Sequence, residues 1–496
     1  MAGDRSGLTQ RRPSVGDGEA KDRLIAADVA GGRSSGSSAL TAGGRSSGSG
    51  TTEALPVWSS GVAFYPPSTK FWRIGGKWYD FQDFLKKHPG GPTVLLLARD
   101  RFEDCTFVFE SHHPNYKKVR VMIKKYEVAE EAVVAHGIRE RPKRQEAGTR
   151  PGHHDKTLDS GEAVRLLDDT AFYSVLRLRV IDHLRAVGHP DGGPTLECKA
   201  LFWVSFFAWL ASLVAMWHLG SFAFSILTGL TASWLGAFGH NWIHQPKYKL
   251  WAYMSLDSVG FSSDGWFREH LLQHHMYTNT PWDNHFKGTA PFLVTDPTVE
   301  RNSVQRWILP YLNPLILCFG LYANYVAHTF ELVKGNECFA PTKLLMPLQL
   351  GLLINRWGLL HGFGLQFVAN SVMGVYYFTM ALMNHNAEHC MDTSARNDSS
   401  DWAVAQLNSS ADWGVQLPFL SAGRYLWLNY HTVHHLFPLT DFSHHSAIQA
   451  ILMKTCQEFE INYSAGNPLT IYKEMVRSFS SPRSLMQEVL VYAGGL

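Results

Sequence analysis

The chemistry on offer in this sequence lies in ten histidines that arrive in four short clusters. They are His240 and His244 in HNWIH, His270, His274 and His275 in HLLQHH, His385 and His389 in HNAEH, and His431, His434 and His435 in HTVHH. Neutral imidazole is the commonest side-chain metal ligand and suits iron. On an α-helix, positions i and i+4 share a face with Cβ atoms about 6 Å apart, so HxxxH aims two imidazoles at one point. A lone pair of this kind is more often a satisfied core or surface pair than a ligand set. Four clusters, all beside the ends of apolar stretches, are hard to reconcile with chance. Even octahedral coordination uses about six donors, so ten imidazoles imply two metal ions. Soluble di-iron bundles use Glu-x-x-His pairs. None occurs between residues 240 and 435, so the expected site is a histidine-rich di-iron centre. Asp283, in Trp282-Asp283-Asn284, offers a carboxylate to orient a ligand imidazole or to cap a loop. His285, His328, His361, His444 and His445 fit no ligand pattern and read as ordinary core or surface residues.

Apolar segments must position these clusters. From Ala200 to Gly239 forty residues pass without Asp, Glu, Lys or Arg, a helix of about 60 Å and so twice a ~30 Å hydrocarbon core. Two crossings, about 200–219 and 221–239, are expected, with further crossings at 307–330 and 357–383; the run 344–355 is too short and reads as interfacial or re-entrant. With four crossings, the N-terminal region, 240–306 and 384–496 share one side, so one site can gather every cluster. Lys and Arg on that side place it in the cytoplasm, with both termini. Ahead of the first crossing, Phe172, Leu176, Val180, Leu184 and Val187 recur at helical spacing, which fits a helix lying on the bilayer or one packed against the N-terminal domain.

Composition narrows the class. Lys and Arg total 45 against 43 Asp and Glu, which leaves no nucleic-acid footprint. Six cysteines without a CxxC suggest neither a disulfide framework nor a zinc site, and fit a reducing compartment. Residues 1–55, rich in Gly, Ser and Arg, read as a disordered arm.

Residues 56–130 contain FQDFLKKHPGG and, further on, FVFESHHPNYKKV. This stretch resembles cytochrome b5, which implies haem b held by two axial histidines. The first maps onto His88 of HPGG; the second lies in the His112-His113 pair, with His112 expected. The boxes HxxxH, HxxxHH and HxxHH between paired crossings resemble the membrane fatty acid desaturase superfamily, and together the two resemblances cover about 56–450. They imply two iron ions, O2 as oxidant, and removal of two hydrogens from an acyl chain carried by CoA or a phospholipid. Electrons would come from NADH through NADH-cytochrome b5 reductase, at the endoplasmic reticulum membrane.

His240, His244, His270, His274, His275, His431, His434 and His435 match the family's three boxes, and His389 a further ligand. His385 stands where stearoyl-type members carry asparagine, which leaves it a direct ligand or a supporting residue. The last box begins with His431 rather than the glutamine usual in fused members that act between the carboxyl group and an existing double bond, so regiochemistry stays open. Hydroxylation at the same site stays open too, and a non-catalytic membrane haem carrier would be expected to lack box histidines. The implied architecture is multi-domain: a small α+β cytochrome b5-like haem domain (56–130), a linker with an amphipathic helix (131–198), and an all-α, four-crossing membrane domain with a cytosolic helical cap (199–496).

Overall fold

The computed structural model describes residues 70–89, 92–101, 105–113, 116–134, 172–275, 278, 279, 283, 285, 288–296, 299–335, 337–391 and 402–480. The arm expected at 1–55 and most of the linker lie outside the described residues.

The N-terminal part is built on a small antiparallel sheet. Strands β1 (Trp72–Ile74) and β2 (Lys77–Tyr79) are joined at Gly75-Gly76, whose φ of 61° and 73° supplies the mirror-image turn that a two-residue hairpin needs. Strand β3 (Glu127–Val128) pairs with β2. Helices α1 (Pro92–Arg101), α2 (Thr106–His112), α3 (Tyr116–Ile123) and α4 (Glu130–Val134) complete this part. Buried Trp72, Tyr79, Phe81 and Phe109 form its core.

Helix α5 (Phe172–Ala186) buries Phe172, Leu176, Val180 and Leu184 in the protein core, so its apolar stripe faces protein rather than the bilayer. Helices α6 (Leu196–Leu219), α7 (Phe222–Ile243) and α15 (Leu359–Met383) are long and apolar enough to cross a membrane. At 1.5 Å per residue they span about 36, 33 and 38 Å, against ~30 Å of hydrocarbon. Thr195 caps α6, its Oγ1 accepting from the Cys198 amide, and Gly220 at φ 59° ends it. Glycine at 229 lets α7 press its backbone against the Ala369 carbonyl of α15; any Cβ there would collide with it.

The passage between α7 and α15 differs from the expected one. Helix α8 (Lys249–Ser258) folds back along α7, and short α9 (Ser263–Trp266) leads into α10 (Phe267–His274), a π-helix. After α11 (Ser303–Trp307), the segment expected to cross at 307–330 is broken: α12 (Asn313–Leu317) with the turn before it meets α13 (Gly320–Val333) at 70°. The following loop is held beside α9, at the histidine end. Glu337 accepts from His328, Ser262 and Lys343, and Thr342 donates to Asp257. Helix α14 (Leu345–Trp357), in the stretch expected to be interfacial, then leads to the far end. Gly260 lies against Met346, Gln349 donates to the Ser258 carbonyl, and Trp357 donates to the Trp217 carbonyl beside Gly220. Hydropathy favours the uncharged run at 307–330 as one helix, but the run is made of three pieces: Pro310 and Pro314 each stand in the first turn of one, where a missing amide donor is tolerated, and the 70° bend falls after Leu317.

Helices α16 (Trp402–Ser409), α17 (Phe419–Ala422), α18 (His431–Leu436), α19 (His445–Glu458) and α20 (Pro468–Ser480) form the cap, with β4 (Asp412–Trp413) and β5 (Ala465–Gly466) paired in parallel.

This path makes a labelling prediction. In sealed vesicles a membrane-impermeant maleimide should reach exposed Cys338 from the same face as an introduced Lys247→Cys, and Ser221→Cys only from the other. Cys338 labelling together with Ser221→Cys would return the crossing to 307–330.

Candidate metal centre

Four elements end at one buried place. The last turn of α7 carries His240, and His244 caps it. Helix α10 carries His270 and His274, with His275 following. His385 stands two residues past α15, and α18 carries His431, His434 and His435. The π-helical form of α10 has a local reason. HxxxHH must present residues four and five apart to one target, and a turn closed by i→i+5 bonds sets them on either side of a single face. The Nε2 atoms of His270 and His275 accordingly come within 3.1 Å.

The imidazoles sort into two groups whose ligand atoms lie within 4.8 Å of one another: His240, His244, His270 and His434; and His274, His385, His431 and His435. In the first, Nε2 of His240 is 2.7 Å from that of His270. In the second, His385 Nε2 lies 2.8 Å from His431 Nε2 and 3.0 Å from His274 Nε2. His275 sits between them, its ring 4.6 Å from His244 and 4.3 Å from His435. Nine of the ten sequence-identified histidines are thus together. His389 is not: its Nε2 faces the Ser410 carbonyl at 3.1 Å, because the chain turns after His385 into a 3₁₀ segment at Glu388–Met391. His285, read from sequence as ordinary, stacks on His274 at 4.9 Å and forms a third grouping with His270 and His274.

Burial and neighbouring imidazoles push His244, His270, His275, His431, His434 and His435 well below the usual imidazole range. Burial brings His285 and His385 to about 3. These rings are neutral throughout the physiological range, the form a metal requires. Three outward-facing nitrogens have partners that fix their rings. His274 Nδ1 donates to Asp283 at 2.8 Å, His385 Nδ1 to the Ser409 carbonyl at 2.9 Å, and His435 Nδ1 to Gln406 at 2.9 Å. Burial works to raise Asp283, but His274 beside it and the Asn279 amide hold its carboxyl down at about 2. His244 is the test of fit for a metal: both of its nitrogens are buried with no hydrogen-bond partner among the described residues. Each such orphan costs about 1–3 kcal/mol, a cost that coordination removes for the nitrogen that binds.

Sequence reasoning missed two organising carboxylates. Asp441 accepts from Asn241 at 2.7 Å and Trp242 at 3.0 Å, residues inside HNWIH, and so ties the first box to the segment after the last. Asp412 accepts from the Thr432 amide at 2.7 Å and from Tyr463 at 2.6 Å, anchoring the start of α18. Just upstream, Leu426 and Trp427 hold φ of 57° and 55°, costing roughly 1–2 kcal/mol each. Trp427 offsets this by stacking on Phe442 at 4.8 Å, and the turn directs Tyr430 and His431 inward. The signal for Asp441, a lone Asp after the last box, carries no local periodicity.

In the N-terminal part, the ring facing His88 is that of His113 rather than the expected His112. Their centroids are 6.1 Å apart. With metal–nitrogen bonds of about 2 Å, two imidazoles on opposite sides of one iron have centroids about 6 Å apart. Helix α2 ends at His112, and His113 turns extended at φ −124°, ψ 92°. Its Nδ1 donates to the Phe109 carbonyl at 2.6 Å, which leaves Nε2 as the donor atom, and burial lowers it to about 4. His112 lies instead close enough to His244 to influence it electrostatically.

Comparison with known proteins agrees with both parts. A family model described as "Cytochrome b5-like Heme/Steroid binding domain" matches residues 61–131, and one described as "Fatty acid desaturase" matches residues 215–467. The chain is 25% identical to a "Probable Delta(5) fatty acid desaturase C" of Dictyostelium discoideum, over 79% of this chain and 86% of that one. It is 28% identical to an "Acyl-lipid (8-3)-desaturase" of Physcomitrium patens, over 79% and 83%. It is 23% identical to a "Cytochrome b5-related protein" of Drosophila melanogaster, over 86% and 92%. With two histidine groups at the ends of apolar helices and a matching family model over more than half its length, the chain belongs to the fatty acid desaturase family and carries a fused cytochrome b5-like haem-binding domain.

Proposed function

We propose that this chain is an O2-dependent acyl desaturase with one iron in each histidine group, supplied with electrons by haem b held between His88 and His113. The observation that carries the reading is the pairing of two four-imidazole groups in one buried place. When bound, such a metal pair supplies the oxidant for removing two hydrogens from an unactivated acyl chain. The chain's own residues keep the imidazoles neutral, orient them through Asp283, Ser409 and Gln406, and exclude water. An aromatic wall does the last: Trp266 lies 5.8 Å from His240 and 4.9 Å from Phe261, which meets Tyr377 at 5.0 Å. The ligand-bearing ends of α7 and α15 are continuous with apolar helices, so an acyl chain entering from the bilayer meets the centre without crossing water.

His431, the departure from the last box of front-end members, lies within the second group, and a metal-binding role there supports an intact centre. His275, between the groups, and His285 beside His274 are within reach to complete the coordination. His389 is left out of the ligand set. The names of the relatives favour an acyl-lipid over an acyl-CoA substrate. The endoplasmic reticulum membrane, a cytosolic centre and an NADH-cytochrome b5 reductase partner complete the reading.

Expression in a lipid-profiled yeast host should yield a fatty acid lighter by two hydrogens. Gain of an oxygen atom instead would mean hydroxylation. His385→Ala and His434→Ala should abolish the product and keep the haem band, whereas His389→Ala should retain activity. A His389→Ala protein without iron would restore that residue to the ligand set.

The haem ligand assignment has its own readout. His113→Ala should lose the low-spin bis-imidazole spectrum and His112→Ala should keep it; the reverse would restore His112 as the ligand. Asp283→Asn should weaken iron binding by about 10–100-fold, measured as iron per protein against a chelator series, with haem content unchanged.

A further inference from the structure

The haem part and the metal centre are bridged by α5. Arg177, only 4% exposed, donates through its guanidinium to the carbonyl oxygen of His113. Four residues earlier on the same helix face, Tyr173 lies under that guanidinium at 6.0 Å, and its hydroxyl donates to the Leu436 carbonyl at 3.0 Å. Leu436 follows His435 directly in α18. The neighbouring Phe437 ring is 6.1 Å from that of Tyr173. The rest of α5 is fixed to the cap: Arg179 pairs with Glu458 at 2.5 Å and Thr455 at 2.9 Å, and Phe172 packs on Phe459 at 5.7 Å. On the other side, α1 packs against α10, which carries the second box.

We propose that Arg177 and Tyr173 are positioning residues that lock the haem domain onto the metal centre and form an electron route, from His113 through Arg177 and Tyr173 to Leu436 and His435. The proposal rests on the reading above that the fused haem is the electron donor. One electron leaves the ferrous haem iron, which becomes ferric, and reduces one ferric ion of the centre to ferrous; no atom moves along the bridge. NADH, through its flavin reductase, restores the haem. A hydrogen bond from a charged donor to a carbonyl is stronger than a neutral one, and burial of Arg177 shields this one from water.

The test uses the full-length protein loaded with haem and iron, without oxygen. A soluble ruthenium–bipyridine photosensitiser with a sacrificial amine flash-reduces the haem, whose reoxidation by the ferric centre is followed at the Soret band; a zinc-loaded sample sets the background. Tyr173→Phe, which keeps the ring and loses the hydroxyl, and Arg177→Gln should each slow reoxidation about tenfold, a loss within the range of one hydrogen bond each, neutral at Tyr173 and charge-assisted at Arg177. Haem potential, haem band and iron content should stay at wild-type values, which a merely structural defect would not leave in place. The double variant should be no slower than the slower single one, because both residues sit on one path. Should Arg177→Gln lose its haem, Tyr173→Phe decides alone. Wild-type rates in Tyr173→Phe overturn the bridge. A wild-type protein that shows no reoxidation above the zinc background overturns the donor reading beneath it, a result distinct from the first.

Discussion

The structure depends on keeping many imidazoles neutral and dry in one small volume. A charged imidazolium there would face both desolvation and like-charge repulsion, so burial drives the proton off and leaves lone pairs aimed inward. A cluster of inward lone pairs is unfavourable by itself, since each buried acceptor without a donor costs about 1–3 kcal/mol. The fold therefore supplies what coordination demands before any metal arrives: four chain segments brought to one depth, and outward nitrogens tied to Asp283, Ser409 and Gln406. The π-turn of α10, the inward turn at Leu426-Trp427 and the glycine-permitted crossing of α7 on α15 each serve that convergence.

Convergence of distant segments needs a fastening that the ligands cannot provide without the metal. Asp441 is that fastening for the first and last boxes. One carboxylate oxygen takes the Asn241 and Trp242 donors from α7, and the other takes the Ser443 amide and hydroxyl. Charge-assisted hydrogen bonds of this kind are roughly twice as strong as neutral ones. Their geometry explains why two of the three residues between the histidines of HNWIH, Asn241 and Trp242, carry side-chain N–H donors. While His240 and His244 face the centre, Asn241 and Trp242 face Asp441. Both faces of one helix end are specified.

What was legible in the sequence follows from how local each constraint is. Histidine spacing is local, so the boxes, their number and their neighbourhood could be read directly, as could two of the crossings and α15. The choice between His112 and His113 turned on where α2 stops, and helix ends are uncertain by a residue or two; His113 escapes the helix and swings toward His88. His389 shared the HxxxH spacing with His385, but the chain leaves α15 before the second residue, and a face shared on a continuous helix is no longer shared. His285 has no partner at helical spacing and is brought to His274 by the loop around Asp283. The run at 307–330 reads as one straight crossing for a related reason: hydropathy counts apolar residues without asking whether they stay in one helix, and this run bends by 70° after Leu317.

The position of α5 joins these constraints. A domain on a flexible tether meets its target at an effective concentration set by linker length, and fusion alone raises that concentration. Here a further step is built in, because the helix that follows the linker is packed against the cap along one face and reaches His113 with Arg177 on another. Its apolar stripe, compatible in sequence with a bilayer surface, is consumed by protein contacts, and that leaves it rigid enough to hold a fixed distance. A helix lying on the membrane would have left the haem domain free to move. A helix packed against α19 makes the haem domain part of the same body as the histidine centre.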